Sequence, residues 1–159
     1  MLNRLLILLT VLLWSNVYAN DIYIEQVGDN LDLDIVQDGQ DNEVGDSIAD
    51  MLINGDNMTF SITQTGSFNT IDATIKGATY TGTWDFTGDS NTVDLLCSST
   101  SAGNCDTVTL NITTTGDANT FDFDIGEVAD ASSSTISFTM TGDNNITAAT
   151  IDGQSAAIT

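Results

Sequence analysis

One phrase recurs along the chain and limits what it can fold into: an alternating apolar run, then Gly, two residues, and Asn. It occurs at Gln37-Asp-Gly39-Gln-Asp-Asn42, Gln64-Thr-Gly66-Ser-Phe-Asn69, Phe86-Thr-Gly88-Asp-Ser-Asn91, Thr114-Thr-Gly116-Asp-Ala-Asn119 and Met140-Thr-Gly142-Asp-Asn-Asn145. A unit this short cannot bury its own apolar face and must stack on its neighbours. The apolar period within each run is two, and β-branched residues dominate, which excludes a helical repeat.

Before Gly66, Met58, Phe60, Ile62 and Gln64 share one face, and Thr59, Ser61, Thr63 and Thr65 share the other. After Asn69 the alternation resumes, with Ile71, Ala73 and Ile75 inward until Gly77. Gly55, Gly66, Gly77 and Gly88 are each 11 residues apart, so one unit of 22 residues is strand, Gly-x-x-Asn corner, strand, second corner. The expected fold is all-β: a parallel two-sheet β-solenoid of about five strand-turn-strand rungs. Hairpins of an antiparallel sheet would not need the same side chains at every second corner. The spacings 39 to 66, 88 to 116 and 116 to 142 exceed 22, and the excess is assigned to Asp46–Asp50, Ser98–Asp106 and Val128–Ser134, after the second strand. Inward files are expected to be Leu31-Leu33-Ile35, Met58-Phe60-Ile62, Trp84-Phe86, Leu110-Ile112 and Ile136-Phe138-Met140 in the first strands. The second strands give Ala49-Met51-Ile53, Ile71-Ala73-Ile75, Val93-Leu95, Phe121-Phe123-Ile125 and Ala149-Ile151, and Ile22–Gly28 reads as an incomplete first rung. Gly39, Gly66, Gly88, Gly116 and Gly142 are the corner glycines, giving positive φ or close backbone approach, and the Asn is expected to adopt left-handed geometry and ladder its amide to the next Asn.

Residues 1–19 read as a secretory signal: Asn3-Arg4, an apolar stretch Leu5–Leu13 too short to span a bilayer, and Val17-Tyr18-Ala19 as a cleavage site. Residues 20–159 then form one domain. The 23 acids all follow Arg4, and only Lys76 remains as a cation, so the exported chain carries 1 − 23 = −22. That balance excludes electrostatic binding of nucleic acid or anionic lipid, and no membrane insertion follows signal removal. Cys97 and Cys105 read as a disulfide pinning a surface loop.

The phrase Gln64-Thr-Gly66-Ser-Phe-Asn69-Thr-Ile71 resembles the curlin repeat of bacterial curli fibre subunits. The resemblance implies a β-solenoid that polymerises rung upon rung into an extracellular functional amyloid, with itself and related fibre subunits as partners. Gln26, Gln37 and Gln64 match the repeat's first Gln, and Asn42, Asn69, Asn91, Asn119 and Asn145 its Asn. Phe86, Thr114 and Met140 replace that Gln in later rungs, which makes the interior more apolar and less dependent on amide ladders.

Two further patterns carry chemistry. The outward face of the first strands is a hydroxyl array running from Thr59-Ser61-Thr63-Thr65 to Thr135-Ser137-Thr139-Thr141. It suits an exposed strand, and alternatively a monomeric module binding ice, glycan or a surface. Asp89, Asp117 and Asp143 each follow a corner glycine and stack on one edge, as weak Ca²⁺ candidates; no other cofactor is implied. The chain has no His and no nucleophile or phosphate-binding motif, so it reads as a structural protein and not an enzyme. A fibre nucleator or cap is the other structural alternative.

Overall fold

The structure, a computed structural model, describes residues 21–46, 48, 51–97, 105–126, 133–151, 155 and 157–159. The expected leader (residues 1–19) and most of the second and third insertions lie outside the described residues. Among the described residues fourteen strands follow one another: β1 (Asp21–Ile22), β2 (Glu25–Val27), β3 (Asp32–Asp38), β4 (Glu43–Val44), β5 (Met51–Asn54), β6 (Met58–Thr65), β7 (Thr70–Lys76), β8 (Tyr80–Thr87), β9 (Thr92–Cys97), β10 (Thr109–Thr115), β11 (Thr120–Ile125), β12 (Thr135–Thr141), β13 (Ile146–Ile151) and β14 (Ala157–Ile158). One sheet has the order β14-β12-β10-β8-β6-β3; the other runs β1-β4-β7-β9-β11-β13, with β2 and β5 alongside β1 and β4. Every pairing is parallel. The chain is a two-sheet β-solenoid of about five turns.

Alternation dictates the core. In one sheet, Leu33, Phe60, Gly82, Leu110 and Ile136 form one column and Ile35, Ile62, Trp84, Ile112 and Phe138 the next. The facing sheet supplies Val44, Ile71, Val93 and Phe121, then Met51, Ala73, Leu95, Phe123 and Ala149. The middle rungs are dry: Phe60, Trp84, Phe121 and Phe123 are fully buried, and Trp84 meets Phe60 edge-on at a 6.3 Å centroid separation. Each such side chain contributes about 1.5–3 kcal/mol of burial. Gly82 has a packing reason. A Cβ there would collide with the Tyr80 ring and Leu110, because the Tyr80 side chain fills the space that Phe60 fills one rung earlier.

The first insertion is not where the spacing put it. Val44 stands opposite Ile71 and Met51 opposite Ala73, so residues 45–50 interrupt the second strand at the position of the single residue Asp72. Val44 therefore takes the inward seat that the sequence assigned to Ala49, which lies outside the described residues. The Tyr23 hydroxyl donates to Asp46 at 3.1 Å, tying the first half-rung to this bulge.

Close stacking explains the corner glycines. A Cβ on Gly66 would strike the carbonyl of Gly39, one on Gly88 that of Gly66, one on Gly116 that of Gly88, and one on Gly142 that of Gly116. The requirement comes from the rung beneath as much as from φ. Gly39, at φ +152°, meets only its own Asn42. Gly66→Ala should cost about 3 kcal/mol or more, combining a strained φ with a backbone clash, and Gly39→Ala about 1–2 kcal/mol from φ alone. Urea unfolding of the two variants checks this; equal losses would remove the stacking explanation.

A second expectation concerns Tyr80, whose buried hydroxyl accepts from Trp84 Nε1 at 3.1 Å. Burial pushes its pKa far above the ordinary tyrosine range, partly offset by that bond. With the folded pKa raised, stability is full below about pH 10, the unfolded tyrosine pKa, and falls as pH climbs beyond it. Tyr80→Phe should lose less stability between pH 8 and pH 11 than the native chain, measured by urea midpoint.

Candidate functional site

The two kinds of corner share one backbone path: Gly at strongly positive φ, a second residue, a left-handed third residue, and a fourth that turns inward. At the Gly-x-x-Asn corners the left-handed residues are Asp41, Phe68, Ser90, Ala118 and Asn144, with φ between 56° and 64°. The left-handed residue is thus the one before the phrase's Asn, and the expectation that the Asn itself adopts this geometry is corrected. Only Asp41 and Asn144 are residues that favour it. The second corners repeat the path at Gly55-Asp-Asn57-Met58 and Gly77-Ala-Thr79-Tyr80, where Met58 and Tyr80 turn into the core in place of Asn.

Asn42, Asn69, Asn91 and Asn119 are buried. Their backbone N–H groups donate to the amide oxygen of the Asn one rung on: Asn42 to Asn69 Oδ1 at 3.1 Å, Asn69 to Asn91 at 3.0 Å, Asn91 to Asn119 at 2.8 Å, Asn119 to Asn145 at 2.9 Å. Asn69 Nδ2 and Asn91 Nδ2 return to the carbonyls of Gly66 and Gly88 at 3.1 and 3.0 Å. Asn69 and Asn91 therefore each satisfy a glycine carbonyl in their own corner and a backbone N–H in the rung before, whereas Asn145 Nδ2 reaches the Gly116 carbonyl of the preceding rung at 3.0 Å. The side-chain-to-side-chain ladder expected from sequence occurs at Asn119 and Asn145, 3.0 Å apart; elsewhere the ladder runs from side chain to backbone. Asn42 differs, since its Oδ1 and Nδ2 are buried without a partner.

The glutamine ladder is one rung long. Gln64 Nε2 donates to Gln37 Oε1 at 2.7 Å, and Gln64 Oε1 is left unpaired where Phe86 follows in the column. Gln26 is not in this file: it pairs in register with Ile53, in the opposite sheet. The spacing to Gly28 imitates the phrase, but Gly28 begins a second corner.

The acidic files belong to the corners as well. Asp89 Oδ1 accepts from the Asp117 N–H at 2.6 Å, Asp117 Oδ1 accepts from the Asp143 N–H, and Asp29 and Asp56 do the same on the other edge toward Asp56 and Ala78. These carboxylates fix rung spacing. No group of three or more His, Cys, Asp or Glu among the described residues is arranged to hold a metal ion. Cys97 and Cys105 are joined, with Cα atoms 5.9 Å apart, and both are buried. Cys97 sits in the inward column of Ile53, Ile75 and Ile125, so the bridge is a core element as well as the closure of a loop. On the outer face the hydroxyl columns run in register, Thr59-Thr81-Thr109-Thr135 and Thr65-Thr87-Thr115-Thr141 among them, and their first-rung seats are Asp32 and Asp38.

Both ends of the stack leave strand edges unpaired among the described residues: β1, β2 and β3 at one, β13 and β14 at the other. Val27 and Val36 are exposed at the first end, and Met140, Ile146 and Ile158 at the second. The Glu43 carboxyl at the first end is raised above its usual range by burial and then by Asp21 and Asp46.

Residues 28–66 match the family model described as the curlin associated repeat. The match covers about a quarter of the chain. The matched stretch includes Gln37, Asn42 and Gln64 and ends at Gly66, before the strands in which Phe86 and Thr114 take the seat of Gln. No curated protein and no solved structure matches the chain. A curlin repeat on a β-solenoid fits a curli-like structural protein, and among the described residues no helix is long and apolar enough to cross a membrane.

The ladder geometry gives a graded expectation. Asn91→Ala removes the acceptor of the Asn69 N–H and the donor to the Gly88 carbonyl, and should cost about 2–4 kcal/mol. Asn42→Ala removes an amide without partners and should cost about 1 kcal/mol or less. Thermal or urea unfolding of the pair tests the ladder; equal costs would mean that the bonds to the neighbouring rung carry no stability.

Proposed function

We propose that the protein is exported and assembles end to end into an extracellular curli-like fibre of the biofilm-matrix or adhesion type. The observation that carries this reading is the pair of open ends on a stack whose internal rungs are already joined by parallel pairing and corner ladders. A strand edge with unpaired N–H and C=O groups is a template for another chain. Each added rung gains the same bonds that internal rungs make, so assembly extends the fold without a new kind of interface. Met140, Ile146 and Ile158 would lose exposed apolar area in the process.

On this reading the role is structural and not catalytic, and the partners are further copies of the chain and related fibre subunits. The Asn file and the Gln37–Gln64 pair would keep register across joints. Divalent cations such as Ca²⁺ would act weakly, by screening a chain of charge −22 after loss of the leader.

Purified exported protein, followed by Thioflavin T fluorescence with negative-stain microscopy and fibre diffraction, should give unbranched fibres with a reflection near about 4.8 Å. A protein that stays monomeric and β-rich would shift the reading to a binding module that uses its threonine face.

A further inference from the structure

Among the described residues the second corners open on Gly28, Gly55 and Gly77, and then on a cysteine. The Asn57 N–H donates to the Ala78 carbonyl and the Thr79 N–H to the Asp106 carbonyl, at 3.1 and 2.8 Å, so Asp106 stacks on Ala78 and Cys105 stands in the seat of Gly77. The left-handed residue and the inward residue follow as elsewhere, at Thr107, with φ 57°, and at buried Val108. One rung on, Ser134 holds the inward seat and plays the part of an Asn. Its Oγ accepts from the Val108 N–H at 3.4 Å and donates to the Cys105 carbonyl at 3.1 Å. Asn145 makes the same two bonds at its own corner, to the Asn119 N–H and the Gly116 carbonyl.

A side chain does not fit that seat by the usual path. Gly77 stands at φ +129°, and a Cβ on it would strike the Gly55 carbonyl, whereas Cys105 takes no positive φ. The chain also arrives differently. Ile53, Ile75 and Cys97 share one inward column, and two residues lead from Ile53 to Gly55 and from Ile75 to Gly77, but eight lead from Cys97 to Cys105. The disulfide makes the short connection that the backbone does not. It holds the two Cα atoms 5.9 Å apart, within the reach of two extended residues, about 7 Å.

From this corner we infer that Cys97 and Cys105 form a redox latch: the bridge must close before β10 to β14 stack stably on β8 and β9, and once closed it is sealed from reductants. A solenoid is held by nearest-neighbour contacts, so a joint with a long backbone connection is a place where one block opens from the other. Without the bridge, docking β10 also has to order the eight-residue connection. Closure passes two electrons and two protons from the thiols to a disulfide oxidant, which leaves as two thiols. In the finished stack both cysteines are buried, so the thiolate of a reductant reaches their sulfurs only when the block opens. Completion of the C-terminal rungs is thereby tied to an oxidising compartment.

Hydrogen exchange read peptide by peptide tests the latch. Purified protein refolded in excess dithiothreitol should exchange at least about thirtyfold faster across β10 to β13 than protein refolded with oxidised glutathione. Peptides from β3 and β6 should differ by less than about twofold between the two states. Equal exchange in both states, or equal acceleration of both blocks, would overturn the latch. A shortened chain separates the corner from the mere loss of a disulfide: Cys97→Ile and Cys105→Gly with residues 99–104 removed copies the Ile75-Lys76-Gly77 path. It should match the oxidised protein across β10 to β13, with or without dithiothreitol. Exchange as fast as that of the reduced native chain would show that Cys105 does not hold a glycine seat. Sealing is measured by alkylation and mass: dithiothreitol should open the bridge at least about thirtyfold more slowly in the folded protein than in urea. Equal rates would overturn it.

Discussion

Everything in this molecule depends on how closely one corner can lie on the next. Parallel rungs repeat at about 4.8 Å, and at that spacing the carbonyl of one corner glycine occupies the place where a Cβ would stand on the glycine above it. The glycines are therefore required by their neighbours and not only by their own dihedral angles. Once they permit the approach, the rest of the corner follows: Asn satisfies the glycine carbonyl and the N–H of the rung before, and Asp, where present, caps the N–H of the rung after.

This arrangement makes each rung an incomplete object. Its polar backbone is satisfied above and below, its apolar columns are closed by the facing sheet, and neither condition is met at an end. The same physics gives stability inside the stack and reactivity at its edges. Buried amides are costly unless paired, and the interior reflects that: Gln37 and Gln64 pair once, then Phe86 takes the column and aromatic packing takes over from amide bonding. The column that begins with Gln37 and Gln64 continues through Phe86, which packs against Phe121 of the facing sheet at a 5.5 Å centroid separation.

Much of this was legible in the chain. The inward columns from Met58 to Phe138 follow from period-two alternation, the parallel sheets from the recurrence of the phrase, and the Cys97–Cys105 bridge from an isolated cysteine pair close in sequence. The errors have physical causes. The insertion Asp46–Asp50 is expected after the second strand because a corner tolerates extra length, yet the register puts it between Val44 and Met51, within that strand, leaving Val44 to seal the core. Gln26 precedes a glycine by the right interval but belongs to the other sheet, since both corners share one backbone path and differ only in the residue that turns inward. The left-handed seat was given to Asn on propensity, whereas stacking forces it on Phe68, Ser90 and Ala118.

The sequence by itself determined the fold class, the rung length and the charge balance, because alternation, glycine spacing and charge are local properties that survive without coordinates. Only the tertiary structure decided register: which residues share a column, and which amide bonds to which backbone group. Those depend on where each rung comes to rest on the one before it, and a shift of one residue would exchange core for solvent along an entire strand.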